Sequence, residues 1–326
     1  MCDIGTRNKD SIFFKQLSAD ENHYMERETC EKLVFDTADF KPLIRISGIE
    51  PLLHPKLDSL IEIIKSKKLY LSISTNGILL EQQAGMLACS GLDEIVISLD
   101  GKEDVHDSIR GQRVYKKVIN GIRKLKQAAA AHAKQKIRII VNCCISDRNY
   151  SSLSDFVREM IRLEGIERLS FTLMYFVTES VSNDHSAEFH DLGKTSALHM
   201  RGISFSSIDT NRLWDQIREI KKMPFSDKIS FATNIKSPEM LHNYFYAPEI
   251  KLGKKHCSIP WNRATILYNG DCIIHNRCIM YKTGNIKEMS FRQIWNGPLY
   301  RAFRTRLIDA GPFPVCGRCC GVIANA

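Results

Sequence analysis

The chain is 326 residues long, with 44% hydrophobic and 25% charged residues, the composition of a globular protein with a large core. No apolar run nears the ~18 residues of a membrane span, and Met1-Cys2-Asp3-Ile4-Gly5 lacks the basic-then-apolar order of a secretion signal, so a cytoplasmic address is expected. The net charge of +9 is spread over short groups such as Lys65-Ser66-Lys67-Lys68 and Lys254-Lys255, which reads as solvated helix faces and not as a nucleic-acid surface, and leaves room for a basic crevice facing an anionic substrate.

Residues 2–10 show no period. An amphipathic helix is expected over Asp20–Thr37, capped by Asp20, with Met25, Cys30, Leu33 and Val34 on one face. A strand over Leu43–Ser47 leads to a helix over Leu57–Lys67. Strands Leu69–Ser74 and Glu94–Ser98 flank a helix over Leu79–Cys89. The long helix Val114–Ala131 turns Val118, Ile122 and Leu125 inward. Strand Ile137–Cys144, helix Leu153–Leu163 and strand Leu169–Tyr175 complete the alternation. The strands are continuous β-branched runs, which predicts a parallel sheet covered on both faces, as a doubly wound sheet or a barrel. From Val177 to Lys255 the alternation stops, and only a helix over Asn211–Ile220 is expected. The C-terminal part opens on Cys257-Ser258-Ile259-Pro260-Trp261. It continues in a hairpin, Ala264–Tyr268 with Cys272–Ile274, turned at Asn269-Gly270. A helix around Ser290–Trp295 and the run Cys316-Gly317-Arg318-Cys319-Cys320 follow.

Three strands end in small polar residues and glycine: Gly48-Ile49-Glu50-Pro51, Ser74-Thr75-Asn76-Gly77 and Ser98-Leu99-Asp100-Gly101. Strand C-termini of parallel sheets open into the ligand crevice, so these ends are candidate binding positions. His106-Asp107-Ser108-Ile109-Arg110-Gly111 follows the third. His54 and His106 lie near these turns, and a lone histidine there reads as hydrogen-bonded structure. Six of the eleven cysteines fall in the last quarter of the chain, where helix and strand signals thin out; in a reducing compartment that usage suits metal ligands better than disulfides. Cys30, Cys89, Cys143 and Cys144 sit on expected core faces and read as small buried hydrophobes.

Taken together these motifs resemble the radical S-adenosylmethionine (SAM) superfamily, and the last third resembles its SPASM/Twitch extension. The resemblance covers nearly the whole chain. It implies an α/β fold: a partial (β/α)6 TIM-like barrel with a missing or altered first strand, plus a small cysteine-rich C-terminal domain. Residues 1–176 would form the barrel, 177–255 a bridge lining the substrate cavity, and 256–326 the auxiliary-cluster domain.

The resemblance also assigns residues. The turn Gly48, Ile49 and Glu50 would receive the SAM amino group, with Ile49 standing where the family has a second glycine and crowding that approach. Ser74, Thr75 and Asn76 would lie near the ribose and cluster, Ser98 and Asp100 at the third strand end, and Arg110 on the SAM carboxylate. Asn142 and Met174 are weaker candidates for the adenosine side. The [4Fe–4S] cluster that reduces SAM takes three cysteines spaced C-x3-C-x2-C. Only Cys2 belongs to that motif, because its two partners would fall three and seven residues before it. Either the chain starts at an internal methionine or the SAM cluster is lost.

An auxiliary [4Fe–4S] cluster would take Cys257, Cys316 and Cys319, with the fourth position open between His275, Cys278 and Cys272. Structural zinc is the alternative metal. The implied activity is reductive cleavage of SAM to a 5′-deoxyadenosyl radical that abstracts hydrogen from a substrate. An electron donor such as flavodoxin or ferredoxin would serve it. A small-molecule substrate is preferred to a peptide, because the short N-terminal stretch leaves no room for a peptide-recognition domain. The alternative is a non-catalytic barrel that binds a partner or metabolite. A third, weaker reading is a zinc-stabilised nucleic-acid binder.

Overall fold

The computed structural model describes residues 24–132, 136–163, 165–193, 195–197, 204–274 and 279–323. The chain divides into two compact units. One joins Ala38–Met174 with Ser207–Ala232. The other joins Tyr175–Ser206 and Thr233–Ala326 with residues 24–37, so helix α1 (Arg27–Thr37) groups with the C-terminal part of the chain. These lines differ from the three consecutive segments expected from sequence order. No helix among the described residues is long and apolar enough to cross a membrane.

In the first unit six strands form one wholly parallel sheet in sequence order. They are β1 (Leu43–Ile46), β2 (Tyr70–Thr75), β3 (Glu94–Ser98), β4 (Arg138–Ile145), β5 (Arg168–Leu173) and β6 (Ile229–Phe231). Helices α2 (Leu57–Ser66), α3 (Leu80–Cys89), α4 (Glu103–Arg110), α5 (Val114–Ala131) and α6 (Leu153–Met160) occupy the crossovers. The five strands expected from sequence are all present. The sixth, Ile229–Phe231, is three residues long, too short for a periodic signal, and is held by Leu169↔Ile229 pairing and by Phe231 stacking on Phe171.

The two faces of the sheet differ. Leu71, Ile73, Ile95, Ile97, Val141, Cys143, Leu169 and Phe171 point to one face and are buried. Each such aliphatic or aromatic side chain contributes about 1.5–3 kcal/mol. The alternate residues are polar and half-buried at Ser74, Ser98, Asn142 and Ser170. The continuous apolar runs therefore overstate burial, because only one face is uniformly dry.

α3 and α5 pack closely, and the reason is Gly121. A Cβ there would lie 2.8 Å from Leu80 Cβ and 3.0 Å from the Glu81 backbone nitrogen. Leu80 and Ala84 of α3 and Val118 and Ile122 of α5 are all fully buried.

The second unit is built around a three-stranded antiparallel sheet: β7 (Thr265–Ile266), β8 (Asp271–Ile273) and β9 (Lys282–Asn285). The expected hairpin is there. Its turn uses Gly270 at φ +89°, and Asn269 Oδ1 accepts from the Asp271 nitrogen at 3.0 Å. Helix α1 is tied to the far end of the chain. The Phe291 nitrogen donates to Asp36 Oδ2 at 2.8 Å and Lys287 Nζ pairs with Glu26 at 2.6 Å. Asp20, the expected cap, lies outside the described residues; the helix is described from Arg27.

Several helices of this unit escaped the sequence reading, and one matches it. α7 (Glu179–Glu188) is polar and buries only Val181, Ser182 and His185, so it carries no apolar stripe. α8 (Pro238–Tyr246) begins with a Ser237 cap accepting from the Met240 nitrogen and a proline in its first turn, a legible start signal. α9 (Ile259–Asn262) is a single turn, and α10 (Phe291–Trp295) matches the expected helix and carries a Ser290/Gln293 capping box. α11 (Pro298–Ala310) buries Tyr300, Phe303 and Leu307 at helical spacing.

Gly121→Ala should gain about 1 kcal/mol of helix propensity, yet a net loss of about 1–3 kcal/mol is expected because Leu80 and the α3 backbone leave no space. Urea denaturation measures it. A variant more stable than the parent would mean that α3 and α5 yield to a methyl group.

Candidate functional site

Chemistry-bearing residues collect at the C-terminal ends of β1, β2 and β3. After β1 the backbone turns through Gly48 and Ile49 into Glu50, which caps a single 3-10 turn, Pro51–Leu53. The Glu50 carboxylate is 8% exposed and accepts three hydrogen bonds. Oε1 takes the Leu52 nitrogen at 3.0 Å and the Thr75 hydroxyl at 2.6 Å, and Oε2 takes the Asn76 nitrogen at 2.7 Å. One side chain thus joins the loop after β1 to the end of β2. Thr75 Oγ1 also accepts from the Gly77 nitrogen at 2.9 Å, and Asn76 Oδ1 from the Ile78 nitrogen at 2.8 Å. Ile49 projects outward with 62% of its surface exposed, and a Cβ at Gly48 would meet nothing within 4 Å.

Asp100, just past β3, is fully buried. Its Oδ2 accepts from Arg110 Nε at 2.5 Å and its Oδ1 from the Cys144 nitrogen at 3.0 Å. The carbonyl of Asp100 accepts from Asn149 Nδ2 at 2.8 Å. Arg110 ends α4, where a cation suits the helix pole, and is a quarter exposed. Asp100 engages its Nε, and its two terminal amino groups make no hydrogen bond among the described residues. That leaves a two-pronged donor suited to a carboxylate. His106 is fully buried, and its Nδ1 accepts from the Asp100 nitrogen at 3.0 Å, which makes it the neutral, hydrogen-bonded residue expected. Burial pushes its pKa down to about 4 against a smaller upward pull from Asp100. His54 likewise serves its own loop, accepting from the Lys56 nitrogen at 3.1 Å.

The half-open face of the sheet carries two polar rungs. At the strand starts, Arg45, Ser72, Glu94 and Arg138 stand side by side. They are cross-linked: Ser72 donates to Glu94 at 2.9 Å, and Arg138 reaches Glu94 at 3.4 Å and Glu167 at 2.9 Å. At the other end Ser98, Asn142, Ser170 and Ser230 share one rung across β3 to β6. Thr172 donates to Asn142 Oδ1 at 3.2 Å. The first rung is internally satisfied and reads as a brace. The second is sparsely bonded and lies at the end where parallel sheets bind ligands. Ser170, Thr172 and Ser230 were not singled out from sequence. The polar residues at every second position of β5 were the available signal. Met174 is fully buried.

In the C-terminal unit three thiols converge. Cys257 precedes α9, Cys316 ends the 3-10 turn Pro314–Cys316, and Cys319 stands just before the short helix Cys320–Ile323. Gly321 marks their common cradle. A Cβ on it would lie 3.5 Å from Cys257 Sγ, and its nitrogen donates to Cys319 Sγ at 3.4 Å. Cys316 is buried, and its thiol is pushed well above the usual range by that burial and then by the charges of Cys319 and Cys257. Three gathered thiols, those of Cys316 and Cys319 buried and that of Cys257 half-buried, would repel one another as thiolates and suit a soft metal centre. Among the described residues no three ligands close on a single metal position. His275 and Cys278, two of the candidates for the fourth ligand, lie outside the described residues, as does Cys2 of the SAM-cluster motif. Cys272 is buried on β8, with the Thr283 hydroxyl hydrogen-bonded to its carbonyl, and Tyr300 close enough to feel its charge. Of the four cysteines expected in cores, Cys30 and Cys143 are buried and Cys144 is half-buried. Cys89 is exposed, with Sγ 3.1 Å from His132 Nε2, because it is the last residue of α3 and faces out.

Comparison with known proteins agrees with this layout. The Radical SAM superfamily model matches residues 18–141, and the model of the SPASM iron–sulfur cluster-binding domain matches residues 257–320. Together they span more than half of the chain. Pre-heme d1 synthase of Dinoroseobacter shibae is 25% identical over 305 residues, covering 90% of this chain and 69% of that protein. GTP 3′,8-cyclase 3 of Mycobacterium bovis is 36% identical over 124 residues, covering 36% of this chain and 32% of that protein. The solved structure of Streptococcus suis SuiB bound to S-adenosylmethionine superposes with a TM-score of 0.59 at 17% identity, over 91% of this chain and 64% of SuiB. SuiB bound to its precursor peptide SuiA gives 0.61 at 15% identity, over 90% of this chain and 63% of SuiB. The chain thus spans less than two thirds of SuiB and about a third of the cyclase.

His106 gives the fold a pH dependence of known sign. Its folded pKa, about 4, lies below the unfolded value of 6.5. The stability it contributes is complete above pH 6.5 and is lost as pH falls from there towards 4. The slope is at most about 1.4 kcal/mol per pH unit for one proton. His106→Asn, which keeps an acceptor for the Asp100 nitrogen, should flatten the stability profile between pH 4 and 6.5. Denaturant titrations at several pH values measure it, and parallel profiles would count against a buried neutral imidazole.

Proposed function

We propose that this chain, which belongs to the radical SAM superfamily and carries a SPASM iron–sulfur cluster-binding domain, is an enzyme that uses SAM for radical chemistry on a small anionic molecule. One observation carries the reading: Glu50, Asn76 and Asp100 stand at the C-terminal ends of three successive parallel strands, with Arg110 beside them.

When bound, SAM and its cluster would supply a one-electron cleavage and the abstraction of a substrate hydrogen. The chain's own residues hold and orient. Glu50 has its carboxylate engaged by three donors, so its part is to fix the turn whose backbone carbonyls face the ligand. Arg110, braced by Asp100, offers its free guanidinium edge to the SAM carboxylate. Ser74, Ser98 and Asn142 line the half-open face. Cys257, Cys316 and Cys319 would hold the auxiliary cluster with His275, Cys278 or Cys272. The SAM cluster would take three thiolates, of which Cys2 would be one.

The substrate assignment rests on two supports. One relative, matched over 90% of the chain, is named for a haem-type product, and another is named for a nucleotide cyclisation. The formal charge of +9 favours anions. The peptide-bound neighbour is 15% identical and informs the fold alone. Electron delivery would fall to a low-potential donor such as flavodoxin or ferredoxin. Ile49, standing where the family has a second glycine, favours a second reading, a barrel that binds SAM or another metabolite without cleaving it.

Anaerobic reconstitution with iron and sulfide, followed by SAM and a reductant, separates the two. The assay is run on this chain and on the product of its full reading frame. Formation of 5′-deoxyadenosine supports the enzyme. SAM binding without cleavage in both proteins leaves the binder, and zinc in place of iron and sulfide would overturn both cluster assignments. Arg110→Lys keeps the ion pair with Asp100 but loses the two-pronged edge. It should weaken SAM binding about tenfold, or about 1.4 kcal/mol, with little change in melting temperature. Calorimetric titration reads it.

A further inference from the structure

Asn149, in the loop after β4, is fully buried. Its Oδ1 accepts from the Ser146 nitrogen at 2.8 Å, closing its own loop. Its Nδ2 donates to the Asp100 carbonyl at 2.8 Å and to the Cys144 carbonyl at 2.9 Å. A backbone N–H can only donate and a carbonyl can only accept, so these partners fix which way the amide faces. Both of its N–H groups go to carbonyls at the ends of two different strands.

This amide stands where β3 and β4 part. The two strands keep register to Ser98↔Asn142, and the Leu99 nitrogen still donates to the Asn142 carbonyl at 3.0 Å. One step further the Cys144 nitrogen donates to the Asp100 carboxylate instead, at 3.0 Å. Asn149 then spans the opening, with one side chain holding the carbonyls of both strand ends. Asp100 is thereby engaged at every polar group it has: its nitrogen by His106, its carbonyl by Asn149, and its carboxylate by Cys144 and Arg110. His106 and Arg110 both belong to α4 and move as one body. Asn149 and Cys144 are what tie Asp100 to β4 and its loop.

We propose that Asn149 is a positioning residue: by fixing Asp100 to the end of β4 it sets the Asp100–Arg110 pair, and with it the place of the guanidinium edge that takes the carboxylate of SAM. The proposal rests on reading Arg110 as the holder of that carboxylate. A neutral amide suits the task, because it satisfies two buried carbonyls without adding a third charge beside an ion pair. Asn149 acts through Arg110, so its effect belongs to the carboxylate of SAM and not to the adenosine. A binding group held only by its own side chain would sample several positions, and a supporting shell of this kind removes that freedom.

The test is calorimetric titration of the full chain, reconstituted anaerobically, with SAM and with 5′-methylthioadenosine, which keeps the adenosine and lacks the carboxylate. Asn149→Ala removes the amide, and Asn149→Gln carries it one methylene too far. Each variant should weaken SAM binding about fivefold or more and hold 5′-methylthioadenosine within about twofold, a split that general loosening would not produce. In an Arg110→Lys background the same substitutions should weaken SAM by less than about twofold, because both act through one contact. Equal losses for the two compounds, unchanged SAM binding, or full additivity with Arg110→Lys overturns the proposal. Should 5′-methylthioadenosine bind too weakly to titrate, the additivity measurement decides. If the Ala variant does not fold by circular dichroism, the Gln variant is judged on the same split. Unfolding of both makes Asn149 a residue of the fold only and overturns the positioning assignment. A parent that binds neither compound strikes the reading of this edge as a SAM site, and the inference with it.

Discussion

Glu50 accepts from the backbone of Leu52 and Asn76 and from the Thr75 hydroxyl, and the candidate SAM edge depends on those three bonds. The loop after β1 contains two prolines and no regular ladder, so little else fixes its path. A buried carboxylate needs hydrogen-bond donors in place of the water it loses, and these three supply them. The carboxylate pins the turn to the end of β2, and the neighbouring backbone carbonyls take their positions from it. Asp100 repeats the device one strand further on, with Arg110, Cys144 and Asn149 supplied from three other segments. A ligand at this edge meets a rigid polar rim, which lowers the ordering cost of binding.

The parts legible in the sequence were those whose physics is local and periodic. α2 buries Leu57, Leu60, Ile61 and Ile64 at helical spacing, and the five longer strands are runs of β-branched residues. The strand-end motifs were legible because small polar residues and glycine interrupt those runs. What escaped lacks period or length: β6 has three residues, and α7 hides among polar side chains. Cys89 was misplaced because membership of an amphipathic helix does not say which face its last residue shows. The grouping of α1 with the C-terminal part could not be read at all, since the pairing of Asp36 with Phe291 and of Glu26 with Lys287 spans most of the chain. The candidate site was legible by resemblance at Glu50, Asp100 and Arg110. The hydrogen-bond partners that give those residues their roles were not.

The distribution of charge clarifies what the basic composition means. Most lysines and arginines are solvated or engaged in surface pairs that contribute little. The cations that organise structure are few: Arg138 braces the strand starts, Arg110 faces the candidate ligand edge, and Arg318 lies among carbonyls between two cysteines. Arginine suits all three, because its planar fork satisfies several acceptors at once and it stays charged when buried.

Helix α1 has a consequence for how the molecule is made. Its partners, Lys287 and Phe291, leave the ribosome roughly 250 residues after it does, at ~5–20 residues per second. Most of the parallel sheet is synthesised in between and can assemble while α1 waits unpartnered, with Cys30 and Val34 not yet covered by their final neighbours. The turn that bears Cys316 and Cys319 is translated after both Lys287 and Phe291. A nascent chain stalled before residue 287 would lack both the partner of α1 and two of the three gathered thiols.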